Sequence, residues 1–388
     1  MKMKETTLEI CNKIYELILS EPPGEPYYHV KDFYVTIASY QLFFKQIDLL
    51  KDQYDELETL SVYIFRDELI NYLNSSNKAG TLNDLNNLNN LNNLKIIIEE
   101  IIKKYPPGIY KVIAPLFGCY LSESIIQLPL GEFKIYSKRY NQSHQDEFYD
   151  GPPFECFISV QINALDNDFA GEMANQKFKN FQFALKFVLA SNDLNNHIST
   201  EEAKFAEELR YFENSPRGIL SSRNRKYITN ESLFDLNVNI ISESFVWDIL
   251  SNPRSDFQKR LKNSIIWAGK ALMEKDETIS FIQYFFALEA LLQKDSNFGP
   301  SISHQIAESI AFKLNTNRDE RKDTYQKVKK LYVIRSKIAH GEEVKKEELN
   351  TSEIKKICLQ IITILLGEKE KFKKFDDFEN HIKDLRFS

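Results

Sequence analysis

The feature that most constrains this fold is the helical spacing of apolar residues in the C-terminal part of the chain. From about residue 237 onward, apolar side chains recur every three to four residues, which is typical of one face of an α-helix. The pattern predicts helices near 254–275, 277–294, 301–315, 319–340 and 346–366, with a charged helix after 370. Because the segments between them are short, we expect neighbouring helices to pack antiparallel as a bundle.

The first 236 residues have a mixed pattern. Helical spacing recurs in three segments, 5–20, 32–74 and 168–190. After PPG (106–108), dense β-branched and aromatic residues predict several short strands, and FECFISVQINAL (154–165) predicts another. Residues 213–236 are polar and turn-prone, as in a linker. The predicted architecture is an α+β region, 1–236, followed by an all-α domain, 237–388.

A three-residue repeat, LNDLNNLNNLNNLK (82–95), interrupts the N-terminal region. Leucines at this period drift around a helix instead of holding one face, and asparagine is a poor helix former. We therefore interpret the segment near 75–95 as a low-complexity loop. The alternative is a surface for interaction through the leucines.

Charge and cysteine usage limit the class of protein. The net charge is −6, so there is no global basic field, although residues 237–388 carry 26 Lys and Arg against 23 Asp and Glu. An acidic front half and a mildly basic back half suggest either different partners or solvated surfaces of different sign. The four cysteines are dispersed, as in a reduced, cytoplasmic protein. Neither a secretion signal nor a membrane span is expected.

One charged residue falls on an apolar helix face, in LYVIRSKIAHG (331–341). Arg335 lies inside the arc formed by Val328, Leu331, Tyr332, Ile334, Ile338 and Ala339. Burying an arginine without a partner is costly, so it is expected to pair with a carboxylate, lie on a dimer interface or line an anion cleft. His340 points about 140° away from Arg335 on an ideal helix.

The preceding helix offers a carboxylate for Arg335. In ETISFIQYFFALEALLQK (277–294), Glu289 lies on the same stripe as Phe285, Phe286 and Leu292, and a contact between Glu289 and Arg335 is predicted. Two simpler interpretations stay open. His340 followed by Gly341 is an ordinary end of a helix, and the Glu289–Arg335 pair could serve structure alone.

ALEALL (287–292) followed by YVIRSKIAHG (332–341) resembles the HEPN superfamily, in particular its Apea-like branch. The resemblance covers about 240–388 and includes the order of the helices. The superfamily's signature is an arginine, four to six residues and a histidine, and here it is matched by Arg335 and His340. Many members have asparagine directly after the arginine, where this chain has Ser336.

The resemblance implies a metal-independent endoribonuclease without a cofactor. Arg335 and His340 would be catalytic at the cleft of a homodimer, Glu289 and Ser336 would support them, and Lys337 would contact RNA. Histidine suits proton transfer to or from the RNA's 2′-OH and 5′-oxygen near neutral pH, and arginine suits the phosphate's developing charge. The expected role is an effector of bacterial anti-phage defence or a toxin, controlled by a regulatory protein or phage trigger.

Other chemistries have less support in the sequence. A non-catalytic HEPN dimerisation or RNA-binding scaffold is the main alternative, and a helical transcription regulator lacks a basic recognition helix. The remaining histidines are scattered, without metal-ligand spacing: His29, His144, His197, His304 and His381. Asp166-Asn-Asp168 stands just before a helix and is interpreted as a turn and N-cap rather than a metal loop.

Overall fold

A computed structural model gives the architecture of the chain. It describes residues 7–17, 27–30, 33–78, 91–117, 119–121, 127–137, 156–192, 204–205, 210–213, 221–222, 234–235, 244–294 and 301–387.

The chain divides into two compact units. The first comprises 1–112, 161–174 and 211–221, and the second comprises 113–160, 175–210 and 222–388. This division differs from the predicted one in assigning part of the N-terminal region to the unit that holds the C-terminal helices. The predicted boundary between residues 236 and 237 lies outside the described residues.

The first unit is mainly helical. Its helices are α1 (Thr7–Glu16), α2 (Ile37–Lys51), α3 (Val62–Lys78) and α4 (Leu91–Lys104), and strands β1 (Tyr27–Val30) and β2 (Phe33–Thr36) form an antiparallel hairpin. Phe43, Ile47, Phe65 and Ile98 are among the residues of its apolar core.

The remaining strands are β3 (Gly108–Phe117), β4 (Cys119–Tyr120), β5 (Gln127–Leu130), β6 (Phe133–Ser137), β7 (Cys156–Ala164), β8 (Lys204–Phe205), β9 (Arg210–Glu213), β10 (Ser221–Ser222) and β11 (Phe234–Asp235). The largest sheet has the order β10-β9-β3-β7-β6-β5, with β8 paired to β3, and β4 pairs with β11. Gly131 turns the chain between β5 and β6 with a positive φ of 62°. A Cβ there would lie 2.7 Å from the Trp247 carbonyl oxygen, so the close approach also requires glycine.

The C-terminal part of the second unit is helical throughout its described residues. Its helices are α6 (Val246–Ser251), α7 (Asp256–Met273), α8 (Glu277–Leu292), α9 (Ile302–Leu314), α10 (Arg318–Ala339), α11 (Thr351–Gly367) and α12 (Phe375–Phe387), and α5 (Asn167–Asn192) precedes them. Side-chain caps fix several starts. Ser255, Asp276, Asn317 and Asn350 each accept a backbone hydrogen bond from the first turn of the helix that follows.

These helices pack as consecutive pairs around α11. Helix α7 packs against α8, α9 packs against α10, and α11 contacts α7, α8 and α9. The buried Ser264 and Ser280 hydroxyls donate to carbonyl oxygens across the α7–α8 contact, each at 2.8 Å. Gly269 on α7 meets the backbone of Phe183 on α5 so closely that a Cβ would lie 2.1 Å from its carbonyl oxygen.

The layout of an N-terminal part with strands and a helical C-terminal part is confirmed. The prediction of 32–74 as mainly helical missed β2, whose FYVT sequence is aromatic and β-branched. The predicted loop near 75–95 is wrong at both ends, because 75–78 belong to α3 and 91–95 to α4. Ile97, Ile98 and Ile101, all buried, form an apolar stripe on the helix that continues from the last residues of the repeat. Residues 79–90 lie outside the described residues, as does most of 213–236.

Candidate active site

Glu289 and Arg335 meet where α8 contacts α10. The Arg335 Nη2 atom lies 3.0 Å from each carboxylate oxygen of Glu289. The two side chains are 21% exposed for Arg335 and 14% for Glu289, so the pair is largely withdrawn from water. The contact predicted from the two helix stripes is therefore present, and it balances the charge that Arg335 brings to an apolar face.

Tyr332 completes this cluster, one helical turn before Arg335. Its hydroxyl donates a 2.9 Å hydrogen bond to Glu289 Oε1, and its ring packs edge-on against Phe285 at 5.4 Å between centroids. Burial first, and then the negative charge of Glu289, raise the pKa of Tyr332 to about 12. The sequence analysis placed Tyr332 only in the apolar arc. Tyr332 and Arg335 are three residues apart on one helix, and this spacing was the sequence signal that both side chains can reach Glu289.

Glu289 satisfies only part of the Arg335 guanidinium. Aromatic rings flank the group, with Cζ 5.6 Å from the Tyr332 ring centroid and 5.8 Å from that of Phe286. Nε is buried and has no hydrogen-bond partner. A buried N–H without an acceptor is costly and uncommon outside functional sites. Because Nε is withdrawn from solvent as well, it is a cost to the fold and not a donor open to a ligand.

His340 ends α10 in a Schellman motif. The Gly341 amide donates to the Ile338 carbonyl and the Glu342 amide to the Lys337 carbonyl, each at 3.0 Å, with Gly341 at φ +76°. The prediction of an ordinary helix ending is therefore confirmed for the backbone. The His340 side chain is exposed, and no described residue hydrogen-bonds to it. It is thus accessible from solvent, whatever its role.

Ser336 and Lys337 also lie in the last turns of α10, and both are partly exposed. Lys337 is two positions from Arg335, about 200° around a helix, so the structure does not bring it to the Glu289 side. The Ser336 carbonyl accepts from the His340 amide at 3.1 Å. Ser336 therefore helps to end the helix through its backbone.

The apolar face of α10 is only half covered in one chain. Val328 and Leu331 are buried, whereas Ile334 and Ile338 are partly exposed. The uncovered residues both lie in the half of the helix that carries Arg335 and His340. An apolar surface of this kind beside charged groups is typical of a contact with another molecule.

An open groove of about 560 Å³ runs between α7 and α8, next to Glu289. One wall is aromatic, formed by Trp267 and Phe286 with their centroids 5.1 Å apart. The rest of the lining is polar or charged except for Ala290: Asp256, Lys259, Arg260, Asn263, Glu289 and Gln293. Because Phe286 contacts both Trp267 and the Arg335 guanidinium, the groove and the ion pair share a wall.

The Asp166 side chain has the role that its position predicts. Its Oδ1 accepts from the amides of Asp168 and Phe169, at 2.8 and 2.9 Å, and its Oδ2 accepts from the Ser61 amide. It caps α5, as predicted. Among the described residues, no three His, Cys, Asp or Glu side chains are grouped to hold a metal ion.

Within the described parts of the chain, no helix is both long and apolar enough to cross a membrane. Comparison of the chain with protein-family models, with curated proteins and with solved structures finds no match. The HEPN resemblance therefore depends on the quoted sequence residues alone.

Proposed function

We propose that the protein is a metal-independent endoribonuclease of the HEPN type that cleaves RNA at the cleft of a homodimer. The observation that carries the proposal is the environment of the Arg335 side chain and its position relative to His340. Arg335 is oriented by Glu289, which Tyr332 also holds, its side chain is 21% exposed, and it stands five residues before an exposed histidine. These are an anion-binding group and a proton-transfer group at one end of one helix.

The chemistry of RNA cleavage needs these two groups and little else. The 2′-OH attacks the adjacent phosphorus as it loses its proton, and the 5′-oxygen leaves as it gains one. His340 is the candidate for proton transfer. Arg335 is the candidate for holding the phosphate oxygens as their charge grows. One histidine would have to take the proton from the 2′-OH and also supply one to the 5′-oxygen. The proposed dimer would instead place two copies of each residue around one phosphate.

The half-covered face of α10 supports the dimer. A second copy that packs on Ile334 and Ile338 would bury apolar surface and bring its own α10 beside Arg335. We expect Ile338→Asp to shift the dimer towards monomer and to reduce cleavage together with it. Ile109 on β3, 58% exposed, provides the matched control, since Ile109→Asp should change neither.

The test of the activity compares wild type with Arg335→Ala and His340→Ala. Each full-length protein is incubated with total RNA in EDTA, and the product ends are identified. Cleavage by wild type alone, leaving 2′,3′-cyclic phosphate and 5′-hydroxyl ends, is the expected result. The toxicity of each protein on expression in cells is measured as well. The proposed anti-phage or toxin role involves a phage-derived or protein trigger, which purified components do not supply.

A non-catalytic dimerisation or RNA-binding scaffold is the second candidate. The observation that favours it is the hydrogen-bonded cluster itself, since Glu289, Tyr332 and Arg335 partner one another in a way that a structural ion pair would require. Under this alternative none of the three proteins cuts RNA in the tube or in cells.

A further inference from the structure

The groove between α7 and α8 has a chemistry that suits a nucleotide. One wall is aromatic and most of the remaining lining is polar, which matches a flat base with hydrogen-bonding edges. Its volume of about 560 Å³ is in the range of pockets that hold small ligands. Trp267 and Phe286 are partly exposed, and Lys270 Nζ lies 4.2 Å from the Trp267 ring centroid, so it covers part of that ring.

The charges of the groove leave one cation uncompensated. Asp256 lies 3.5 Å from the Arg260 guanidinium, and Glu289 is paired with Arg335. Arg260 also donates to the Gln293 carbonyl at 2.8 Å and so closes the end of α8. The Lys259 side chain is exposed, and its ammonium has no ion-pair or hydrogen-bond partner among the described residues. The excess positive charge at the rim therefore favours an anionic ligand.

The groove's position relates it to Arg335. Phe286 forms its wall on one side and contacts the guanidinium on the other, with 5.8 Å from its centroid to Cζ. A polynucleotide with one phosphate at Arg335 would therefore have a neighbouring nucleotide beside Phe286. A stacked base gains binding free energy from an aromatic wall whatever its identity.

We propose that this groove binds one nucleotide of a single-stranded RNA next to the phosphate held by Arg335. The base stacks on the Trp267 ring, which stands at 68° to that of Phe286, while the Asn263 and Gln293 amides meet its edge and Lys259 meets its phosphate. The assignment rests on the proposed function, which it deepens by naming the substrate as unpaired RNA. A paired base inside a duplex presents no free face to the wall.

The experiment measures binding without cleavage. A fluorescently labelled RNA oligonucleotide, 2′-O-methylated throughout so that it has no nucleophile, is titrated with the full-length protein and followed by anisotropy. Trp267→Ala and Lys259→Ala are compared with Lys355→Ala, which removes an exposed lysine of α11 away from the groove. A duplex of the same sequence is the second ligand. Circular dichroism confirms that each variant is folded.

The expected result is a loss of single-strand affinity of about ten-fold for Trp267→Ala. Lys259→Ala should lose several-fold, with a shallower salt dependence. Lys355→Ala should stay within two-fold of wild type, and the duplex should bind more weakly than the single strand. Equal binding by wild type and both groove variants, or no binding by wild type, overturns the subsite. Groove-dependent binding without any cleavage by wild type instead overturns the nuclease and leaves the subsite standing.

Discussion

The Glu289–Arg335 pair should be energetically coupled, which a double-mutant cycle measures. The cycle uses Arg335→Met, Glu289→Met and the double variant, because methionine keeps the unbranched shape and removes the charge. Each single change leaves one charge largely withdrawn from water without its partner. The double change removes both charges, so its cost should be smaller than the sum of the two.

The magnitude follows from the burial of the pair. Exposed pairs contribute about 0–1 kcal/mol, and breaking a fully buried pair costs about 3–5 kcal/mol. With 14% and 21% of the side chains exposed, this pair lies between those limits. We expect each single variant to lose about 2–3 kcal/mol of unfolding free energy and the coupling energy to be about 1–2 kcal/mol.

Urea unfolding followed by tryptophan fluorescence is a suitable assay. Both tryptophans, Trp247 and Trp267, lie in the second unit, so the signal reports on the unit that holds the pair. The Lys327–Glu353 pair joins α10 to α11 at 2.8 Å but is 55% and 27% exposed, which makes it a matched control. Its coupling should stay below about 0.5 kcal/mol. The reasoning would be refuted if the losses of the Glu289 and Arg335 single variants added up to the loss of the double variant within about 0.5 kcal/mol.

Three further predictions concern stability. Gly269→Ala should cost more than about 3 kcal/mol because its Cβ would meet the Phe183 backbone, whereas Gly367→Ala, with open space around it, should be neutral or slightly stabilising in the same urea assay. Gly341→Ala should cost about 1 kcal/mol because φ is +76° and nothing else crowds the site, and Gly341→Asn should cost less; equal losses would contradict this. The pKa of Tyr332 is raised from 10.0 to about 12, so the protonated hydroxyl stabilises the folded state. This contribution is complete below pH 10 and is lost as the pH rises through 12. The difference in unfolding free energy between wild type and Tyr332→Phe should therefore shrink over that window.

The helices of the C-terminal part could be predicted because their sequence signals are local. Each has a three-to-four-residue apolar period, and several have a polar cap at the start, as Asp276 and Asn317 show. The Glu289–Arg335 contact was predictable for a different reason. Two opposite charges stood on the apolar faces of two helices of one bundle, and each needed the other.

The rest depended on packing that a single pattern does not encode. Tyr332 has the spacing of an ordinary core residue, and only the position of Glu289 shows that its hydroxyl is used. The groove combines side chains from two helices whose relative rotation is set by small residues such as Ser264. Leu91 and Leu94 belong to a repeat with an unfavourable local pattern, yet the buried stripe that follows them extends their helix.

The most direct test of the central claim is the chemistry of RNA ends in cells. Wild type, Arg335→Ala and His340→Ala are expressed to matched soluble levels, and 5′-hydroxyl and 2′,3′-cyclic phosphate ends are mapped across the transcriptome. The account predicts that paired ends of both kinds accumulate only with wild type, together with growth arrest, because 2′-OH attack needs both residues. The same ends at the same sites with either variant would contradict the assignment of Arg335 and His340 as the catalytic pair.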